Sequence, residues 1–402
     1  MLLNNWEATY FDFDERKLET LAEKAADLGV ELFVLDDGWF GERDSDETSL
    51  GDWHTHRKKL PGGLTALGEI VEALGMNFGL WIEPEMVSPK SRLFEEHPDW
   101  CLHIPGRPLA EGRNQLVLDL SREDVQEFII ETLDSILTSA PIAYIKWDMN
   151  RYLTNAASPL LVADRQKELY HRYVLGLYRV LEEVTTAHPE VLFEGCSGGG
   201  GRFDLGILYY MPQYWTSDNT DAISRLKIQY GTSMIYPPVS MGAHVSAVPN
   251  HQLGRTTPLQ TRADVAFGGN FGYELDIQEL SEEESERIRR QISFYKRHRN
   301  LIQYGRFIRL ISPFESEETA WMFLSRDESE ILFFLFLRCR EANRTSQPRR
   351  LRLVGLPGGA VYEEEKTGRR YSSEELTERG MPLPQPRDHF ESLRGYMRRV
   401  EG

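Results

Sequence analysis

Between about residue 5 and residue 273, short apolar runs rich in β-formers alternate with longer amphipathic stretches, and no other feature constrains the fold as strongly. The apolar runs cover 6–11, 32–36, 78–83, 143–148, 191–196, 214–218, 233–236 and 265–270. Parallel strands covered on both faces read as continuous apolar runs, and each needs a crossover, usually a helix, to reach the next. The stretches between them fit that need. Residues 14–29, DERKLETLAEKAADLG, put Leu18, Leu21, Ala25 and Leu28 on one face and stop at Gly29. Residues 121–137 start with Ser121 followed by Asp124, a pattern that predicts a helix capped at Ser121. Eight strand–helix repeats predict an α/β fold, a (β/α)8 TIM barrel. A ninth strand-like run, 116–120, is placed in the long connection before residue 143.

After a charged helical stretch at 281–303 the pattern changes. TAWMFLS, ILFFLFL and RRLRLVGL, split by turn residues, predict a small C-terminal antiparallel β-sandwich with 331–337 in its core. The expected division is a barrel over 1–303 and a sandwich over 304–402.

The 402 residues are 41% hydrophobic and 27% charged, enough apolar material for a large core, with a formal net charge of −17. Such an acidic surface argues against nucleic acid or an anionic membrane as the main partner. Cys101, Cys196 and Cys339 form no CxxC pair, which fits a reducing compartment. No run approaches the ~18 apolar residues of a membrane span. The start, MLLNNWEATYF, is too short and polar for a signal peptide, so a cytoplasmic location is expected.

In a barrel of this kind chemistry sits at the C-terminal ends of the strands. One run ends in Asp36–Asp37–Gly38–Trp39, another in Trp81–Ile82–Glu83–Pro84–Glu85, a third in Lys146–Trp147–Asp148. Two more end in Glu194–Gly195–Cys196–Ser197 and Ser217–Asp218–Asn219. Carboxylates, a lysine and the tryptophans 39, 53, 81, 147 and 215 therefore converge on one face. Rings beside carboxylates suit sugars, and two carboxylates on different strands could serve as nucleophile and acid/base of a glycosidase. CSGGGGR lacks the Lys-Ser/Thr of a phosphate loop. Asp44, Asp46 and Glu47 lack calcium-loop spacing and read as a solvated loop. His54 and His56 have no third ligand nearby and read as loop surface. No metal and no cofactor are expected.

The motifs LLNNWEATYFDFDERKL, FVLDDGWFG, SLGDW, GLWIEPEMVSP, HPDW, EGRNQLVLDLS, YIKWDMNRYL, FEGCSGGGGRFD, WTSDNTDAI and MGAHVSAVPNHQ, in this order, closely resemble the bacterial α-galactosidases of glycoside hydrolase family 36. The resemblance runs from Leu2 to about Phe314 and more loosely beyond. It implies a retaining exo-α-galactosidase acting on melibiose, raffinose, stachyose and similar small galactosides. Asp148 of KWDMNR matches the nucleophile and Asp218 of SDNTDA the acid/base. The sugar pocket maps onto Asp36, Asp37, Trp81, Arg113, Lys146, Asn150, Cys196 and Gly198, with Trp6 near the rim. The same residues also allow an α-galactosyltransferase on the same donors, or a catalytically silent galactoside-binding module. Relatives of this kind carry an N-terminal β-sandwich before the barrel, whereas here the chain starts almost at the first strand. Apolar surface left exposed around 6–11 and the first helices is then expected to favour a homo-oligomer.

Overall fold

The computed structural model describes residues 1–154, 157–340 and 349–401. Strands β1 (Leu2–Asn4), β2 (Leu32–Leu35), β3 (Asn77–Ile82), β4 (Ile142–Trp147), β5 (Leu192–Gly195), β6 (Gln213–Trp215), β7 (Met241–Ser246) and β8 (Asn270–Glu274) follow one another around a closed barrel. The alternation in the sequence thus gives the expected α/β barrel, but three of the eight strands lie elsewhere than expected.

The run 6–11 is not a strand; it opens as a short helix, Trp6–Thr9, and the first strand precedes it. Local side-chain hydrogen bonds turn the chain there: Trp6 N donates to Asn4 Oδ1 at 2.8 Å, and Asn5 Nδ2 to the Thr9 side chain, at Oγ1, at 2.8 Å. Residues 233–236 only unwind the helix Ala222–Thr232, with Tyr236 N still bonded to Thr232 O, and the strand begins at Met241. The run 265–270 starts inside the helix Leu259–Ala266, so its strand is displaced to Asn270–Glu274. Short apolar runs carry no periodicity that separates a strand from a buried helix end. Leu116–Val117 does lie outside the barrel, paired antiparallel with Met86–Val87.

The chain divides into two compact units, residues 1–218 with 274–286, and residues 219–273 with 287–402. In the first, the helix Glu15–Leu28 buries Leu18, Leu21, Ala25 and Leu28 as its pattern requires. Asp14 caps it by accepting from Lys17 N at 2.8 Å, and Gly29 ends it at a φ of 92°. The cap expected at Ser121 is absent: the helix Glu123–Ser139 starts after Arg122, and Ser121 Oγ donates instead to Asp119 at 2.6 Å. Trp6 and Phe11 are half-buried, and Tyr10 is exposed.

In the second unit, β9 (Arg306–Ile311), β10 (Glu318–Leu324), β11 (Glu330–Leu337), β12 (Val361–Glu364), β13 (Arg370–Ser372) and β14 (Glu391–Val400) form a sheet ordered β9-β10-β11-β14-β12-β13. Every pairing in it is antiparallel. All residues of 331–337 are buried, and Ile331, Phe333 and Leu335 join Leu351, Leu353 and Met381 in one core. Leu351 and Met381 belong to the small sheet Arg350–Leu351 with Met381–Pro382, the second layer of the expected sandwich. Among the described residues no helix is long and apolar enough to cross a membrane.

Candidate active site

Strand parity places Tyr144, Lys146 and Asp148 on one side of β4, and Ile145 and Trp147 on the other. The register sets Lys146 opposite Trp81 of β3 and Glu194 of β5. On the outer side, Trp147 Nε1 donates to Glu85 Oε1 at 2.8 Å, and Tyr173 and Arg202 donate to the same buried carboxylate. Trp147 and Trp39 are fully buried, and Trp39 Nε1 donates to Trp81 O at 2.9 Å. These two tryptophans therefore brace strand ends and do not offer a face to a sugar.

On the inner side, Lys146 Nζ lies 2.8 Å from Asp36 Oδ2, which also accepts from Asn4 Nδ2 at 2.6 Å. Burial alone would lower the Lys146 pKa, but the charges of Asp36 and then Glu274 hold it well above its ordinary value. Lys146 is an ammonium. Asp37 N donates to Asp36 Oδ1 at 2.9 Å, and Asp37 is gripped by Arg43 through Nε at 2.9 Å and Nη2 at 2.8 Å. A planar fork on a carboxylate fixes orientation as well as charge.

Asp148 is buried, and three N–H groups converge on it. Met149 N reaches Oδ1 at 2.8 Å, while Asn150 Nδ2 and Trp81 Nε1 reach Oδ2 at 2.7 Å and 3.3 Å. An acceptor so supplied suits a carboxylate. Asn150 Oδ1 in turn accepts from Gly198 N at 3.1 Å, tying the end of β4 to the loop after β5.

Asp218 follows β6 and accepts from Trp215 Nε1 at 3.2 Å. One side of it stays open to solvent while protein packs round the rest. That loss of water, and then the negative charge of Asp148, raise its pKa against the lowering pull of Lys146 and Arg113. The loop after β5 supports it: a Cβ on Gly199, at φ +82°, would lie 2.6 Å from Ser217 Cα and 2.7 Å from Asp218 N. Only glycine fits there. Gly195 meets a second close approach, because a Cβ there would lie 2.2 Å from the Tyr214 ring.

Asp36, Asp37, Trp81, Lys146, Asp148, Asn150 and Gly198 are thus linked by hydrogen bonds or strand register. Cys196, almost fully buried, sits at the end of β5 with its N–H on Trp147 O at 2.7 Å. Its thiol is pushed well above its ordinary pKa by burial, then by Asp148 and Asp218, so it stays neutral. Arg113 is exposed on a two-residue turn, with Arg113 and Asn114 at φ 54° and 58° between the paired Gly112 and Gln115. It makes no hydrogen bond among the described residues, but its charge lowers both Glu83 and Asp218. Trp6 reaches the site at one remove, through its N–H on Asn4. It packs edge-on against Tyr10 and Phe11, with centroids 5.1 Å and 5.3 Å away.

Four groups gave no sign of a role in the sequence: Asn4, Arg43, Glu83 and Glu274. Glu83 stands out only as one of two glutamates in WIEPE, Asn4 and Arg43 act through direct hydrogen bonds to Asp36 and Asp37, and Glu274 acts through its charge on Lys146 and Asp218. His56 is also not on the loop surface as expected; it is buried with Nε2 3.4 Å from Asp44, which pairs with Lys59 at 3.1 Å. Among the described residues no three His, Cys, Asp or Glu side chains are grouped to hold a metal.

One carboxylate ringed by donors and a second carboxyl of raised pKa, at two strand ends, are the two kinds of group that two-carboxylate glycoside chemistry uses. The Melibiase family model matches residues 1–305, and that of the glycosyl hydrolase family 36 C-terminal domain matches residues 318–395. The chain belongs to glycoside hydrolase family 36. Alpha-galactosidase AgaA of Geobacillus stearothermophilus is 59% identical over 401 residues, which are 100% of this chain and 55% of AgaA. Alpha-galactosidase 1 of Pediococcus pentosaceus is 50% identical over 96% of this chain and 52% of its own. The AgaA crystal structure superposes with a TM-score of 0.98 over the same 100% and 55%. A variant of AgaA in complex with raffinose, 58% identical, gives 0.98 over 100% of this chain and 55% of its own. The chain spans about half the length of the curated relatives it matches.

Proposed function

We propose that this chain supplies the catalytic barrel, residues 1–303, and the C-terminal sandwich, residues 304–402, of a retaining exo-α-galactosidase. Its substrates are small α-1,6-galactosides such as melibiose, raffinose and stachyose. The observation that carries this reading is the pairing of Asp148, a carboxylate held by three donors, with Asp218, a carboxyl whose pKa is raised by burial and by Asp148 itself. The names of the relatives and the raffinose complex of AgaA support the choice of sugar.

Asp148 attacks the anomeric carbon while Asp218 gives its proton to the departing glycosidic oxygen, leaving a galactosyl ester on Asp148. Asp218, now a carboxylate, takes a proton from water, which attacks the same carbon and frees Asp148. The geometry this needs is a carboxyl separation of roughly 5 Å. Lys146 and Arg113 supply positive charge and donors to sugar hydroxyls. A carboxylate offers about four acceptor positions, so Asp36 with three protein donors, and Asp37 with two from Arg43 and one from the Gly38 N–H, each retain an acceptor for the 4-OH and 6-OH of galactose.

Cys196 then shapes the pocket beside the 2-OH and takes no part in bond making. The p-nitrophenyl α-glycoside of galactose should be cleaved on the order of 10²-fold faster, or more, than that of N-acetylgalactosamine, whose 2-acetamido group has no room. Cys196→Ser should keep substantial activity on the galactoside. Equal rates on the two sugars would remove the proposed pocket. A folded Cys196→Ser protein as inert as one lacking Asp148 would show that the thiol does more than fill space.

A further inference from the structure

Glu83, the residue after β3, is a fully buried carboxyl for which the two-carboxylate mechanism has no use. One of its oxygens accepts the Asn150 N–H, and the other accepts from Gln115 Nε2 at 3.1 Å. The Asn150 side chain springs from that same held backbone and spans two partners, Asp148 Oδ2 at 2.7 Å and Gly198 N at 3.1 Å. We propose that Glu83 is a positioning residue for the nucleophile: by fixing the Asn150 N–H it keeps the Asn150 amide on Asp148. This inference rests on the assignment of Asp148 as nucleophile.

The surroundings make Glu83 suited to the task. No cation lies in ion-pair range of it among the described residues. The charged groups that act on it are Asp148 at the end of β4, Asp37 at the end of β2, Arg113 on the turn at 112–115, and Arg43 on the loop after β2. Burial, then the charge of Asp148, push it up to about 8, against the pull of the Asn150 N–H and Arg113. Glu83 is therefore a neutral acid at neutral pH. It holds Asn150 without setting a second negative charge against the nucleophile. Its proton can go to Gln115, whose amide oxygen is buried with no partner and meets the O–H after a half-turn of the amide. As pH rises through about 8, Glu83 ionises; it still accepts the Asn150 N–H, but it then sets a second negative charge beside Asp148.

The test compares wild type, Glu83→Gln and Glu83→Ala on p-nitrophenyl α-galactoside, with thermal unfolding to confirm folding. At mildly acidic pH, Glu83→Ala should lose about 10²-fold in kcat with KM little changed, the scale of a small misplacement of a reacting group. Glu83→Gln should stay within about tenfold of wild type, because its amide oxygen still accepts the Asn150 N–H. It should also lose the ionisation near 8, so the alkaline fall of kcat/KM becomes less steep. A folded Glu83→Ala with wild-type kcat overturns the proposal, and so does a Glu83→Gln protein equally damaged or unchanged in its alkaline profile. If Glu83→Ala does not fold, the pH profile of Glu83→Gln decides alone. An inert, folded wild type overturns the proposed function and this inference with it, whereas an active wild type and an unaffected Glu83→Ala overturn only the inference.

Discussion

Asp148→Ala should abolish release of p-nitrophenol from the α-galactoside, by a factor on the order of 10⁴–10⁶, as expected when a covalent nucleophile is removed. No nearby group can take over. Cys196 is a neutral buried thiol, Glu83 is a neutral acid committed to the Asn150 backbone, and Asp36 and Asp37 are tied to Lys146 and Arg43. The variant should fold, since it removes a buried negative charge and leaves two side-chain donors, those of Asn150 and Trp81, seeking water. Assays of both proteins side by side, with circular dichroism on each, check this. A folded variant with activity near wild type would take the nucleophile away from Asp148.

Asp218→Ala should show a different pattern, one that depends on the leaving group. A sugar leaving from raffinose needs a proton in the transition state, whereas p-nitrophenolate leaves readily without one. The loss in kcat/KM should reach about 10²–10⁴-fold on raffinose and be far smaller on the aryl galactoside. The pH profile should change in a definite direction. Burial and Asp148 raise the Asp218 pKa, so in the wild type the acid is present below that raised value and is lost as pH rises through it. Asp218→Ala should remove that contribution to the alkaline fall and leave the one from Glu83 near 8. Equal losses on both substrates, with the alkaline profile unchanged from wild type, would assign the acid role elsewhere.

Whether a feature of this protein is legible in its sequence depends on whether that feature is local. The helix Glu15–Leu28 can be read because its apolar spacing, the Asp14 cap and Gly29 all lie within one segment. The strands ending before Asp36, Glu83, Asp148 and Cys196 can be read because apolar runs there end abruptly in polar residues. The first strand cannot, since Asn4 and Asn5 turn the chain through side-chain bonds that composition does not show. At the site the motif residues are visible, but the bonds of Asn4 and Lys146 to Asp36 join segments that only the fold brings together, and the grip of Arg43 on Asp37 depends on how the loop after β2 folds back. Glu83 is hidden for a further reason. Its raised pKa follows from burial beside Asp148 with no cation in range among the described residues, and the surroundings of a side chain are settled by packing.

The central claim is displacement in two steps through a galactosyl ester on Asp148, and the configuration of the first product tests it most directly. Proton NMR recorded within the first minutes of hydrolysis, before the sugar mutarotates, distinguishes the two anomers of released galactose. Two inversions at the anomeric carbon return it to its starting configuration, so the α anomer should appear first and the β anomer only afterwards as the solution equilibrates. If β-galactose appears first, water attacks the substrate directly, no ester forms on Asp148, and the two-step mechanism is wrong.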